Sequence, residues 1–112
     1  MRIINQTRNT ILAQEVEIAG TFCKRMTGLL GRRELKQGAA LLIKPSGSVH
    51  TFFMRFSIDV LFVGRKNSVV AAISEMKPFR ASRMYLFCDA IELPAGTIEK
   101  TQTQKGDLIQ VG

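Results

Sequence analysis

Between Val49 and Val63 the chain reads VHTFFMRFSIDVLFV. Every even position from Phe52 to Phe62 is apolar: Phe52, Met54, Phe56, Ile58, Val60 and Phe62. The odd positions mix Thr51, Phe53, Arg55, Ser57 and Asp59 with Leu61 and Val63. Alternation over that length is the pattern of β structure with a buried face. A bend near Ser57 is expected to divide the run into two strands. The polar set Arg55, Ser57 and Asp59 lies mid-run, where a plain core strand has no need of charge. This stretch is therefore expected to supply both central core residues and candidate site residues.

The rest of the chain reads in shorter pieces. Arg2 to Gln6 and Ile11 to Ala19 are strand candidates, hairpinned through the turn-prone Asn5, Thr7, Asn9 and Thr10. Phe22, Met26, Leu29 and Leu30 recur at helical spacing. Thr21 is placed to cap that helix at its start and Gly31 at its end. Gly38 to Lys44 reads as a strand and Pro45 to Ser48 as a loop. Gly64 to Ser68 is a hairpin connection in which Asn67 tolerates the left-handed conformation. Val69 to Ile73 returns as a strand. Met76 to Tyr85 has no clean period and reads as a long loop. Ala90 to Leu93 is a strand, Pro94 to Gly96 a turn, and Thr97 to Thr101 one helical turn. A turn at Lys105 to Asp107 leads into a last strand, Leu108 to Val111. About seven or eight short strands with one early helix predict a mainly-β single domain over residues 1–112. An antiparallel barrel or sandwich hides such strand edges best.

Composition narrows the partners. At 112 residues and 46% hydrophobic content the chain can bury a core of its own. No apolar run approaches the ~18 residues of a membrane-spanning helix. The opening MRIINQTRNT has no apolar signal core. A cytoplasmic protein is the default expectation, although a chain relieved of an export leader or membrane anchor would read the same. Cys23 and Cys88 are too few for a disulfide framework and lie in no CxxC pair, so both read as buried thiols. The net charge is +7 and the pI about 10.0, which favours an anionic small molecule, nucleic acid or anionic lipid. The densest basic patch is Lys24, Arg25, Arg32, Arg33 and Lys36, opposed by Glu34. Nucleic-acid motifs are absent, so only weak, non-specific binding of nucleic acid or anionic lipid is expected there.

Several segments, taken in order, resemble the family known as domain of unknown function 192. They are Arg25-Met26-Thr27-Gly28-Leu29-Leu30-Gly31-Arg32, the apolar strand from Gly38 to Ile43, His50-Thr51-Phe52-Phe53-Met54-Arg55, Ile58-Asp59-Val60-Leu61-Phe62, Leu93-Pro94-Ala95-Gly96 and Gly106-Asp107. The resemblance spans roughly residues 20–112. It implies a mostly-β domain of jelly-roll-like or barrel type, and it implies no reaction, because the family has no established biochemical function. Members of that family are often exported or membrane-anchored. Ser57 stands where a proline is usual, and Asn67 where the hairpin usually has glycine.

The candidate chemistry centres on a few side chains. His50, the single histidine, could act as a general base or ligand, or hydrogen-bond a loop from a strand end. Cys23, His50, Asp59 and Cys88 have no metal-ligand spacing, so neither metal nor cofactor is expected. Arg55 and Asp59 would sit ~13 Å apart along a straight strand. Either each pairs elsewhere, Asp59 with a turn, Arg80 or Arg83 and Arg55 with Glu75 or Glu92, or a bend brings both into one pocket. In the pocket reading Arg55 holds an anion, Asp59 orients it or acts as base, and the Pro78 to Arg83 loop closes over it. Cys88 has no activating neighbour in sequence and reads as inert. No Walker loop, GxSxG or paired catalytic carboxylate occurs. The expected function is binding of a polar or anionic ligand in a cleft edged by His50, Arg55, Asp59, Arg80 and Arg83. Two alternatives stand beside it: a hydrolase or lyase using His50 and Asp59, and a basic interaction module for an acidic partner or membrane surface.

Overall fold

The chain folds as two facing sheets, with the early strands shared between them. The computed structural model describes residues 1–19, 34–52 and 54–112. Among these are eight strands and one short helix: β1 (Ile3–Asn5), β2 (Thr10–Ala13), β3 (Glu15–Ala19), β4 (Ala39–Ile43), β5 (Ile58–Val63), β6 (Val69–Met76), β7 (Asp89–Pro94), α1 (Thr97–Thr101) and β8 (Ile109–Val111). One sheet has the order β2-β1-β8 and the other β3-β4-β7-β5-β6. All pairs are antiparallel except β3 with β4. The mainly-β expectation holds, in sandwich rather than closed-barrel form among the described residues. The helix expected from Thr21 to Gly31 lies outside them, as do Cys23 and most of the basic patch, Lys24, Arg25, Arg32 and Arg33.

The run expected as one strand, Ile11 to Ala19, breaks at Gln14. The N–H groups of Gln14 and Glu15 both donate to the Gly38 carbonyl, at 2.8 and 3.0 Å. There the chain leaves the three-stranded sheet and enters the five-stranded one. Near the chain's end, Asp107 ties the sandwich's first turn to its last. It accepts hydrogen bonds from Asn5 Nδ2, Arg8 Nε and the Gln104 N–H at 2.9, 2.7 and 3.0 Å.

β5 lies between β7 and β6, and all six of its residues are buried. Its period-two pattern is real, but both faces are covered. Leu61 and Val63 join the core between the sheets with Ile3, Leu42, Ile91 and Ile109. Ile58, Val60 and Phe62 face a second core with Ile43, Val49, Met54 and Met76. A strand covered on both faces reads as a continuous apolar run, which is what Ile58 to Val63 becomes apart from Asp59.

The first half of the central stretch departs from expectation. The described residues of 49–57 form no strand of either sheet. Instead residues 46–51 pair irregularly with 80–88: Ser46 N–H to Cys88 O, Tyr85 N–H to Gly47 O, Ser82 N–H to Val49 O and Thr51 N–H to Arg80 O. The chain then turns tightly, with the Met54 N–H on the Thr51 carbonyl at 3.1 Å. A further bend at Arg55 and Phe56, beside the expected position at Ser57, leads into β5. Met54 packs into the second core, whereas Phe52, expected to be buried, is 42% exposed. This two-stranded arm is the lid of the second core, and the candidate site residues cluster on it.

Candidate functional site

Thr51 organises the arm. It is fully buried. Its hydroxyl donates to the Lys77 carbonyl at 2.5 Å and accepts from the Arg80 N–H at 3.0 Å. Its backbone bonds Arg80 O and the Phe79 N–H. The turn from Lys77 to Arg80 is therefore fixed by a single threonine through side chain and main chain together. Because the backbone of Arg80 is held this way, its side chain leaves the arm for solvent. The guanidinium makes one long contact, 3.4 Å to the Phe79 carbonyl, which leaves most of its five N–H donors available.

Between the end of β6 and residues 80–82 runs a groove of about 340 Å³. Ser74, Glu75, Lys77, Arg80 and Ser82 bring its polar atoms, with Ile73 and Met76 behind them. Two cations face one carboxylate. Two other grooves among the described residues lack a cationic excess. One of about 380 Å³ is lined by Glu15, Glu17 and Glu34 against Lys36. One of about 390 Å³ sets Lys44 against Asp89 at the sandwich edge. Of these three grooves, the one at Arg80 is best suited to an anion on charge.

Asp59 is fully buried on β5. Its Oδ1 accepts the Glu75 N–H and its Oδ2 the Ile98 N–H, each at 2.8 Å. Both partners are structural. Glu75 has φ 52° and sits where β6 slips register against β5, between the pairs Ile58–Met76 and Val60–Ile73. Ile98 is in the first turn of α1, whose start has no side-chain cap of its own. Asp59 thus satisfies one donor of a β-bulge and one orphan donor of a helix start. It joins the Ile58-Asp59-Val60 and Leu93-Pro94-Ala95-Gly96 segments physically, since Asp59 also pairs with Leu93 across the sheet.

The remaining expected site residues are on the outside. His50 is exposed, bridges Ala81 across the arm and stacks on Phe52 at 5.3 Å between ring centroids. Arg55 and Arg83 are exposed, Arg83 with its guanidinium 5.4 Å from the Tyr85 ring centre. The structure brings His50, Arg80 and Arg83 onto one arm and buries Asp59 within the β5–β6–α1 junction. His50 faces solvent, while both Asp59 oxygens accept hydrogen bonds from backbone N–H groups. Cys88 is a buried free thiol. Burial, and then the negative charge of Asp89, push its pKa up, which keeps it protonated and unreactive near neutrality. Among the described residues no three metal-ligating side chains cluster, and no helix is long and apolar enough to cross a membrane.

Sequence reasoning missed Thr51 as an organiser and Lys77 and Ser82 as groove residues. Lys77 had a signal, as a cation three residues before Arg80 in a proline-bearing loop. Thr51 had none, because its partners are carbonyl and amide groups of the backbone.

Comparison with known proteins agrees with this fold. The sequence profile of DUF192, described as Uncharacterized ACR, matches residues 3–111. A UPF0127 protein of Pyrococcus horikoshii is 34% identical, covering 96% of this chain and 96% of its own. A UPF0127 protein of Thermococcus sibiricus is also 34% identical, over 96% of this chain and 72% of that one. Two crystal structures share the fold. A protein of unknown function from Novosphingobium aromaticivorans superposes with TM-score 0.83 at 16% identity, over 99% of this chain and 84% of that chain. A protein described as a putative transcription regulator from Sinorhizobium meliloti gives 0.78 at 21%, over 97% and 89%. With a profile match along nearly its whole length and relatives above 30% identity, the chain belongs to the DUF192 family.

Proposed function

We propose that the domain is a binding module that takes a small polar anion in the groove between the end of β6 and residues 80–82. The observation that supports this reading is the state of Arg80. Arg80 lines the groove, its backbone is pinned by Thr51 on both sides, and its exposed guanidinium leaves most donors uncommitted among the described residues. A pre-positioned guanidinium loses little freedom when it binds an oxyanion in bidentate fashion. Lys77 adds a second positive charge, and Ser74 and Ser82 offer hydroxyls. Arg83, Arg55 and His50 extend the basic surface around the groove and steer anions toward it. Asp59 belongs to this scheme as a scaffold residue: by holding the Glu75 N–H it fixes the β6 wall.

The test is thermal unfolding in a series of inorganic phosphate, sulfate and citrate concentrations at constant ionic strength. An anion that binds the folded state raises the melting temperature by mass action, by a few degrees once its concentration is about ten times Kd. Arg80→Ala should abolish the rise and Lys77→Ala should weaken it, both without lowering the anion-free melting temperature. An equal rise in the parent and in Arg80→Ala, or none in either with all three anions, would refute the reading.

A further inference from the structure

Beyond the groove, the far end of the arm carries an unusual apex. Residues 84–87 read Met-Tyr-Leu-Phe, and three of the four side chains point out of the protein: Met84 is 58%, Leu86 71% and Phe87 72% exposed. Their base is nevertheless tightly held. Tyr85 packs its ring on Phe62 of the core at 4.6 Å between centroids. The Tyr85 N–H donates to the Gly47 carbonyl, and the Ser46 N–H to that of Cys88. Gly47 is obligatory there: a Cβ would fall 2.7 Å from Met84 Sδ and 2.9 Å from the Tyr85 carbonyl oxygen. The apolar side chains are thus displayed on a fixed platform.

The backbone adds a second observation. Phe87 has φ 59°, a left-handed conformation that glycine or asparagine adopts at less cost and a bulky residue rarely takes. Strain of this kind at an exposed aromatic residue points to a use for the ring outside the protein.

Charge identifies the partner. The β5–β6 connection lies beside the apex, with the Arg65 guanidinium 4.4 Å from the Phe87 ring centre. Lys66 and Arg83 are exposed in the same two connections. No acidic residue occurs from Val60 to Ser74 or from Lys77 to Cys88. A convex apex of three apolar side chains is small beside the ~800 Å² that each partner gives to a standard protein interface. It is the right size for a tip that seats in the headgroup layer, apolar groups inward and cations level with lipid phosphates. We propose that the Met84 to Phe87 turn, ringed by Arg65, Lys66 and Arg83, docks the domain on a membrane surface bearing anionic lipid headgroups.

The chain contains no tryptophan, so Phe87→Trp places a single reporter at the apex. With vesicles of phosphatidylcholine plus phosphatidylserine, its emission should shift to the blue, and the parent protein should co-sediment. Vesicles of phosphatidylcholine alone should give little of either, and added salt should weaken binding. Leu86→Ser combined with Phe87→Ser should reduce co-sedimentation by roughly tenfold or more while leaving the melting temperature near the parent's, since both side chains are exposed. Arg65→Ala with Lys66→Ala gives an independent arm and should cut binding to the charged vesicles by roughly fivefold or more. The proposal is overturned if the tryptophan emission is unmoved by charged vesicles, or if the double serine variant sediments as the parent does. The groove reading is tested separately: a phosphate-induced rise in melting temperature should survive the double serine substitution.

Discussion

Asp59 offers the sharpest test of how β6 and the start of α1 are tied to β5. Replacing it with alanine removes the acceptor for the buried Ile98 N–H and the part-buried Glu75 N–H, each at 2.8 Å. A hydrogen bond to a charged partner contributes about 1.5–3 kcal/mol, and a buried donor left unsatisfied costs a similar amount. Two such donors give about 3–6 kcal/mol for Asp59→Ala, a large part of the ~5–15 kcal/mol total of a small domain. Asparagine keeps the shape and one acceptor oxygen but turns an NH2 group toward the other N–H, so Asp59→Asn should cost about half as much. Urea unfolding followed by circular dichroism measures both. With m of about 1–3 kcal/mol/M, alanine should lower the midpoint by more than about 1 M. Hydrogen exchange of the Glu75 and Ile98 amides should speed up in Asp59→Asn ahead of their neighbours. A midpoint shifted by less than the equivalent of ~1 kcal/mol in Asp59→Ala, with both amides still protected, would refute the clamp.

Two further predictions concern stability. Burial alone would raise the Asp107 carboxyl, but hydrogen bonds from Asn5, Arg8 and the Gln104 N–H, with the Arg8 charge, outweigh it and hold the pKa below its ordinary 3.8. A pKa depressed in the folded state stabilises fully above the unfolded value near ~4, and that stabilisation is lost as pH falls through the folded value. Urea midpoints between about pH 5 and pH 2 should therefore fall less steeply in Asp107→Asn than in the parent; equal slopes would contradict this. Phe62→Ala should cost about 3–5 kcal/mol, as large-to-small changes in a packed core do, while Phe52→Ala should cost under ~1 kcal/mol because the ring is largely outside. Equal midpoints for the two variants would show that the cores are wrongly drawn.

How much of this was readable beforehand depended on whether the deciding partner was local. β1, β4, β6, β7 and α1 carry their own patterns and turn residues, and the sequence places them within a few positions. The run from Ile11 to Ala19 does not announce its break, because the cause is the Gly38 carbonyl, far along the chain. Alternation from Phe52 to Phe56 suggested a strand, yet the partner segment 80–88 has no period to pair with it, and Phe52 remains outside. Asp59 was weighed against Arg80 and Arg83 because side chains are visible in a sequence; its real partners are backbone N–H groups, which every residue has. Arg80 and Lys77 were legible as cations in a proline-bearing loop. That Leu86 and Phe87 face outward was not, since an apolar pair before Cys88 reads equally well as core.

Anion binding at Arg80 can be observed residue by residue through amide shift mapping by NMR. In a titration of the isotope-labelled protein with inorganic phosphate, the amides of Ser74 to Ser82 and of Thr51 should move along a saturating curve. Those of Gln6, Asn67 and Gln110, which line the groove at the sandwich edge, should stay in place, and the Arg80→Ala protein should show no saturating response. Shifts that cluster at another groove, or that rise linearly without saturation and persist in Arg80→Ala, would contradict the claim.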